Sequence, residues 1–385
     1  MNGTIGEVAD PKLLSEIRAF GRFDTDACFT CGTCALACEL ARDALLLPRR
    51  AIRLVQLGLR ESVRGSLDPW LCHYCGDCSE RCPRQAEPGE SLMTLRKYLS
   101  AQYDWTGLTA LFYRSRAWRL AALGIVASVV AALGLWFHWR ILKGDVDIST
   151  FFVLGRSHSV GLIQRYDTWL VAALAALVAS NVARLVFFAI RDVRGEGISM
   201  RAWGRSLGVF LWHFFTQSWI KDCGKAHLGR WIKHLLLVSG FVVMFVLVVF
   251  FLPWFQTDAI LPWTHPQRLL GYYATAVLTV VSIDILLGRR RKREEAHRFS
   301  EFGDRLFPVL ILLTALTGLV THVARYLDWP LTTCATFAVH LMVSVAMLAV
   351  EVPFGKLAHE AYRPVAIMLY EVREEARRRQ AAVPG

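Results

Sequence analysis

The 385-residue sequence has no G-x-G-x-x-G turn set between a strand pattern and a helix. It also has no strand-rich region that could form a nucleotide-binding sheet. A resident flavin or nicotinamide domain is therefore not expected, and any two-electron cofactor would belong to a partner. There is no internal repeat beyond two cysteine runs. The opening MNGTIGEVADPKLL lacks a basic region followed by an apolar core, so the expectation is an N-terminal domain that stays in the cytoplasm. Acidic residues are scarce: 32 Asp and Glu face 44 Lys and Arg, a net charge of +12. That surplus does not read as nucleic-acid binding. It gathers in short stretches between long apolar runs, as in loops that flank membrane helices.

Apolar residues are what the chain has in plenty. They make up 54% of it, with 13 Trp and 22 Phe, and they are unevenly spread. The first hundred residues are mixed and charged; from about Leu120 onward long apolar runs dominate. Six spans are expected, near residues 120–139, 169–190, 234–255, 269–287, 306–325 and 332–359. Each is close to the ~20 residues that cross a ~30 Å hydrocarbon core. Arg184 and Glu351 are charges inside the second and sixth. Residues 191–233, 288–305 and the segment from Lys356 hold eight, seven and six Lys or Arg, whereas loops 140–168, 253–268 and 324–334 hold four, one and one. This bias puts both ends of the chain on the cytoplasmic side of an inner membrane. The expected organisation is all-α. A helical cluster domain (1–104) and an amphipathic linker with Trp105, Leu108, Leu111, Phe112 and Trp118 (105–119) precede a six-helix membrane bundle (120–360) and a basic cytoplasmic tail (361–385).

Eight of the ten cysteines fall in two matched runs, Cys28-x2-Cys31-x2-Cys34-x3-Cys38 and Cys72-x2-Cys75-x2-Cys78-x3-Cys82. A [4Fe–4S] cube needs four thiolates at tetrahedral corners. Three close cysteines wrap one cube, and the fourth must come from elsewhere. In two-cluster ferredoxins the last cysteine of each run ligates the other cluster. The expected sets are therefore Cys28, Cys31, Cys34 and Cys82 for one cluster, and Cys72, Cys75, Cys78 and Cys38 for the other. Zinc sites favour pairs of cysteines rather than sets of four. Glu39 stands after Cys38 where bacterial ferredoxins often have proline, and Pro83 follows Cys82. Cys223 and Cys334 are isolated and read as packed apolar residues.

Histidines inside spans are uncommon and usually functional. His234 opens the third span and His359 closes the sixth, so the two are expected to bracket one haem iron at the cytoplasmic face. His340 and His322 lie toward the opposite face and are expected to bracket a second, with Met244 as the alternative to His322. His340 and His359 are 19 residues apart, about 28 Å of helix but about 100° out of phase, an offset that a kink at Pro353 could correct. Arg184 either snorkels or pairs with a haem propionate. Glu351 and Arg325 are candidates for proton handling and quinone binding. His213, His227, His265 and His297 read as surface histidines.

Residues 1–100, with both cysteine runs and the basic helical insert between them, resemble the helical ferredoxin of heterodisulfide reductase, its C-type subunit. The membrane part resembles the cytochrome b subunits of heterodisulfide reductase and the gamma subunit of respiratory nitrate reductase. The residues that carry this are Arg230-Trp231-x-x-His234-Leu235-Leu236 with Gly240-Phe241, His340-Leu341, and the finish Pro353-Phe354-Gly355-Lys356-Leu357-Ala358-His359. The fusion of the two resembles the C-type subunit of the quinone-interacting membrane-bound oxidoreductases of sulfur-metabolising microbes. That resemblance implies two [4Fe–4S] clusters, haem b at two sites, and exchange of electrons with menaquinone. It implies flavoprotein partners similar to the A-type subunit of heterodisulfide reductase, with adenylylsulfate reductase downstream. The alternatives are the anchor of another quinone-linked complex, such as an electron-transfer-flavoprotein:quinone reductase, and a haem-free redox sensor or transporter.

Overall fold

The computed structural model describes residues 7–41, 47–141, 159–191, 199–223, 227–255 and 260–382, among which there is no strand. The N-terminal part is a set of short helices: α1 (Leu13–Arg18), α2 (Thr33–Leu36), α3 (Pro48–Gln56), α4 (Arg60–Arg64), α5 (Asp68–Leu71), α6 (Asp77–Glu80), α7 (Pro88–Tyr103) and α8 (Leu108–Arg114). Proline opens α3 and α7, where a missing N–H costs nothing. The longest, α7, carries Leu92, Leu95, Tyr98, Leu99 and Tyr103 on its buried side and serves as the spine for the rest.

The membrane part comprises α9 (Arg116–Ile141), α10 (Ser159–Ile190), α11 (Met200–Thr216), α12 (Leu228–Val249), α13 (Leu252–Phe255), α14 (Pro266–Arg291), α15 (Phe302–Tyr326), α16 (Pro330–Phe354) and α17 (Ala358–Ala382). Among the described residues six helices, α9, α10, α12, α14, α15 and α16, are long and apolar enough to cross a membrane, in the places the hydropathy pattern indicates. Their outward faces are apolar and uncovered. Leu135, Trp169, Phe245, Phe250 and Val280 are all exposed, as lipid contact requires and water contact would not tolerate on this scale.

The last span departs from the sequence expectation. It ends at Phe354 and does not continue to His359. Gly355 leaves helical dihedrals (φ −116°, ψ −149°), and a Cβ there would collide with the Glu351 side chain. Pro353 lies inside the final turn of α16. Glu351 also seals the helix end: its carboxylate accepts the Lys356 N–H at 3.0 Å and its carbonyl accepts the Leu357 N–H at 3.1 Å. The chain then turns into α17, so His359 belongs to a new helix and its phase relative to His340 is set by this break.

The basic segment after His359 is helical and packs into the N-terminal domain. One buried core runs from Leu13, Ile17 and Trp70 through Leu95 and Tyr103 to Leu185 of α10 and Tyr362, Ala366 and Ile367 of α17. Trp70 meets Tyr362 at 5.0 Å between ring centroids, and Tyr103 meets Tyr362 at 5.7 Å and Phe188 at 6.1 Å. Each such burial is worth roughly 1.5–3 kcal/mol. Polar clasps add register. Trp105 donates to Ser180, Arg191 pairs with Glu61, and Lys97 pairs with Glu301. The cluster domain thus caps the end of the bundle that carries the basic loops.

Candidate metal centres

Both cysteine runs fold the same way because two positions in each adopt the left-handed region. In the first run these are Thr30 (φ 52°) and Gly32 (φ 91°); in the second they are Tyr74 (φ 53°) and Gly76 (φ 97°). Alternating hand turns successive N–H groups to one side, a concavity suited to an anion such as a thiolate-ligated cluster. A short helix, α2 or α6, then carries the third cysteine of each run.

The structure gathers the cysteines crosswise. One recess, about 400 Å³ counting its open side, is lined by Cys28, Cys31, Cys34 and Cys82, with Ile52, Ala86 and Pro88. A second, about 360 Å³, is lined by Cys72, Cys75, Cys78 and Cys38, with Leu40, Pro48 and Leu92. Burial pushes the Cys34 thiol up to about 11 and the Cys38 thiol up to about 12, and raises Cys72 and Cys78 as well. Without metal these thiols hold their protons, so loading the recesses must release protons and supply positive charge. The donor sets fit an iron–sulfur cube in each recess: four thiols, apolar walls and convergent N–H groups.

The two recesses differ in cover. Cys31 is exposed in the first, beside Phe29 and Leu36, which are 67% and 88% exposed. The second lies against the membrane part. Gly76 leaves no room for a side chain, since a Cβ there would stand 2.6 Å from Cβ of Glu295 in the α14–α15 loop. Arg230 of α12 donates to the Tyr74 carbonyl at 2.8 Å and pairs with Glu294; His227 meets Asp77 at 3.1 Å. Arg363 of α17, one turn beyond His359, bonds to His73, which adjoins Cys72.

Of the histidines, His234 and His359 come together. Nε2 of His359 is 2.7 Å and Nε2 of His234 is 3.9 Å from the same Glu360 oxygen, and ligand atoms of all three lie within 4.8 Å of one another. Nδ1 of His359 is bonded to the Lys356 carbonyl, the arrangement that fixes an imidazole for metal binding through Nε2. Nδ1 of His234 is buried with no hydrogen-bond partner among the described residues. These atoms are close enough together to share one metal ion, with the Glu360 carboxylate against both imidazoles. His340 is oriented in the same way, with Nδ1 3.1 Å from the Thr314 carbonyl and packed on Gly318. His322 is engaged elsewhere, its Nε2 2.9 Å from the Tyr272 hydroxyl and its ring 4.6 Å from that of Tyr326. His340 and His322 thus have separate neighbours. Met244 packs against the core that holds Leu278 and Met347.

Two expected charges are anchored structurally. Arg184 donates to the Gln102 carbonyl at 3.1 Å. Glu351, fully buried, grips Arg119 of α9 through both carboxylate oxygens at 2.6 Å. Arg325 lies in the last turn of α15, at the end away from the cluster domain.

Two residues escaped the sequence reading. His213, read as a surface residue, is 1% exposed, and both its ring nitrogens are buried with no hydrogen-bond partner among the described residues. It sits on the inner side of α11, whose 3.6-residue pattern of Ala202, Ser206 and His213 is the only hint of this. Cys223, read as an isolated packing residue, lines the second recess as a fifth thiol. No spacing rule could have found it, since it comes from a separate segment.

Comparison with known proteins bears on the front of the chain. Residues 24–86 match the family model of the 4Fe-4S dicluster domain. A protein of Archaeoglobus profundus that is like the C-type subunit of heterodisulfide reductase is 35% identical over 77 residues, 20% of this chain and 41% of that protein. A C-type iron-sulfur subunit of the CoB–CoM heterodisulfide reductase of Methanocaldococcus jannaschii, the second of its kind there, is 41% identical over 91 residues, 24% of this chain and 46% of that one. The C-type subunit of the H(2):CoB-CoM heterodisulfide,ferredoxin reductase of Methanothermobacter marburgensis is 33% identical over 78 residues, 20% and 42% of the two chains. The chain spans less than half the length of each of these relatives. No solved structure matches. The N-terminal domain is a 4Fe-4S dicluster domain similar to the C-type subunits of heterodisulfide reductases, joined here to six helices long and apolar enough to span a membrane.

Proposed function

We propose that this chain is the membrane electron-transfer subunit of a quinone-linked oxidoreductase, exchanging electrons between menaquinone and a soluble flavoprotein similar to the A-type subunit of heterodisulfide reductase. Adenylylsulfate reductase would lie downstream, in dissimilatory sulfur metabolism. The observation that supports this reading is the alignment of three donor sets. His234 and His359 converge at the cluster end of the bundle, Arg363 one turn on touches His73 beside Cys72, and the first recess opens to the surface at Cys31. Haem iron on the paired histidines and a [4Fe–4S] cube in each recess would supply one-electron steps between quinol and flavin. The chain's own residues do the rest. Cys38 and Cys82 tie each recess to the other run. His359 is fixed by the Lys356 carbonyl, and His340 by Thr314, for a second haem. Exposed Phe29 and Leu36 offer the flavoprotein an apolar footing beside the outermost cluster. Quinone would bind toward the far end, near Arg325. With the basic loops and the cluster domain at one end, that end faces the cytoplasm.

The test is composition followed by reduction. Purified anaerobically, the chain should carry about eight irons in clusters and give a pyridine haemochrome of haem b, and a menaquinol analogue should reduce both. His359→Ala should lose the haem at the cluster end while the clusters remain. A preparation with full clusters and no haem would refute the electron path and leave the redox-sensor alternative.

A further inference from the structure

Five cysteines, not four, line the second recess. Its pattern mirrors the first: three cysteines from one run and the last cysteine of the other. Cys223 has no counterpart in the first recess, so a four-ligand cube leaves it over. It is 6% exposed, it lines that recess together with Cys75, and it ends the 3-10 turn Ser218–Cys223 that joins α11 to α12. That turn packs against Glu39–Ala41, directly after Cys38. Arg230 donates to the Tyr74 carbonyl and His227 meets the Asp77 carboxylate, so the start of α12 is held on the same recess.

We propose that Cys223 is a non-ligating thiol donor to Cys75 of the second cluster, supplied by the membrane part, and that it holds the reduction potential of that cluster up. The inference rests on the two-cluster reading. An added electron raises the negative charge on the cluster and its thiolates, and a hydrogen bond to a ligand sulfur stabilises that charge. Cys223 is buried away from water, so its S–H has no competing acceptor in the solvent. The proton stays on Cys223 throughout, and no bond to iron is made or broken. The effect is confined to the second cluster, the one nearer the paired histidines. Cys223 is therefore a positioning residue that sets how readily an electron pauses between the membrane part and the exposed cluster.

The experiment compares full-length wild type, Cys223→Ala and Cys223→Ser by iron content and by a redox titration followed by electron paramagnetic resonance. The second-cluster signal is assigned as the one lost in Cys72→Ser. Wild type lacking two cluster signals would sink the two-cluster reading itself, separately from this inference. With two present, Cys223→Ala should keep the wild-type iron content and move only the second cluster to a more negative midpoint. The shift should equal roughly a 2- to 10-fold fall in the reduced-to-oxidised ratio at fixed ambient potential, the size of one neutral hydrogen bond. Cys223→Ser, which keeps an O–H donor, should recover part of the shift. Loss of one cluster's iron would make Cys223 a ligand and overturn the proposal. An unmoved midpoint, or equal shifts in Ala and Ser, would also overturn it.

Discussion

The Arg119–Glu351 pair offers the sharpest test of how the bundle is held. The two side chains are 3% and 0% exposed and lie 232 residues apart in sequence. Both Glu351 oxygens face the guanidinium at 2.6 Å, and one also accepts the Lys356 N–H that ends α16. Glu351→Ala leaves a buried guanidinium unpaired, a loss of about 3–5 kcal/mol. Replacing both, Arg119→Leu with Glu351→Leu, removes the charges together. Its remaining cost is the orphaned Lys356 N–H, about 1 kcal/mol. The measurement is reversible unfolding in mixed micelles by titration with a denaturing detergent, followed by tryptophan fluorescence. The expected pattern is a severe single variant rescued by the double, with a coupling energy of at least about 2 kcal/mol. A Glu351→Ala variant within about 1 kcal/mol of wild type, or a double variant as unstable as the two singles combined, would refute the reasoning. A proton-carrying Glu351 predicts a different outcome: quinol turnover lost in Glu351→Gln with unfolding unchanged.

Further expectations concern the recesses and the seam. Cys82→Ser should perturb the cluster built mainly by Cys28, Cys31 and Cys34, and Cys38→Ser the other; an electron paramagnetic resonance spectrum in which each change strikes its own run's cluster would reverse the assignment. Gly76→Ala should lose about four irons per chain, because it combines left-handed strain with a collision against Glu295. Gly32→Ala, whose nearest neighbour to a new Cβ is an Arg49 atom at 3.7 Å, should cost only the strain, about 1–2 kcal/mol, and keep its cluster. Tyr362→Ala should weaken the aromatic seam by about 3–5 kcal/mol. Limited proteolysis should then release the N-terminal domain, and an unchanged digestion rate would argue against the shared core.

Sequence patterns reached what is periodic or local. Runs of ~20 apolar residues mark the spans, and the C-x2-C-x2-C spacing marks the recesses, because both are consequences of short-range geometry. What depends on distant partners was hidden. Nothing near Cys223 announces that it will meet Cys75, and nothing near Glu351 announces Arg119. The break at Gly355 is masked by Pro353 two residues earlier, which points to a kink, while Glu351, filling the space beside Gly355, is what requires a residue without Cβ there. His213 is hard to place from sequence because α11 is amphipathic and too polar to read as a span, yet Ala202, Ser206 and His213 on its inner side are buried.

The shared core has a consequence for how the protein is made. Trp70 and Tyr103, made about 260 residues or more ahead of their partners, close against Tyr362, Ala366 and Ile367 of α17. At the usual pace of about 5–20 residues per second, the early domain waits on the order of tens of seconds for its final wall. For the earlier part of that interval the second recess also lacks Cys223 and the clasp of α12. The second recess thus has its four ligand cysteines from the early domain alone, while its outer wall closes only once the segments that carry Cys223 and Arg230 are in place.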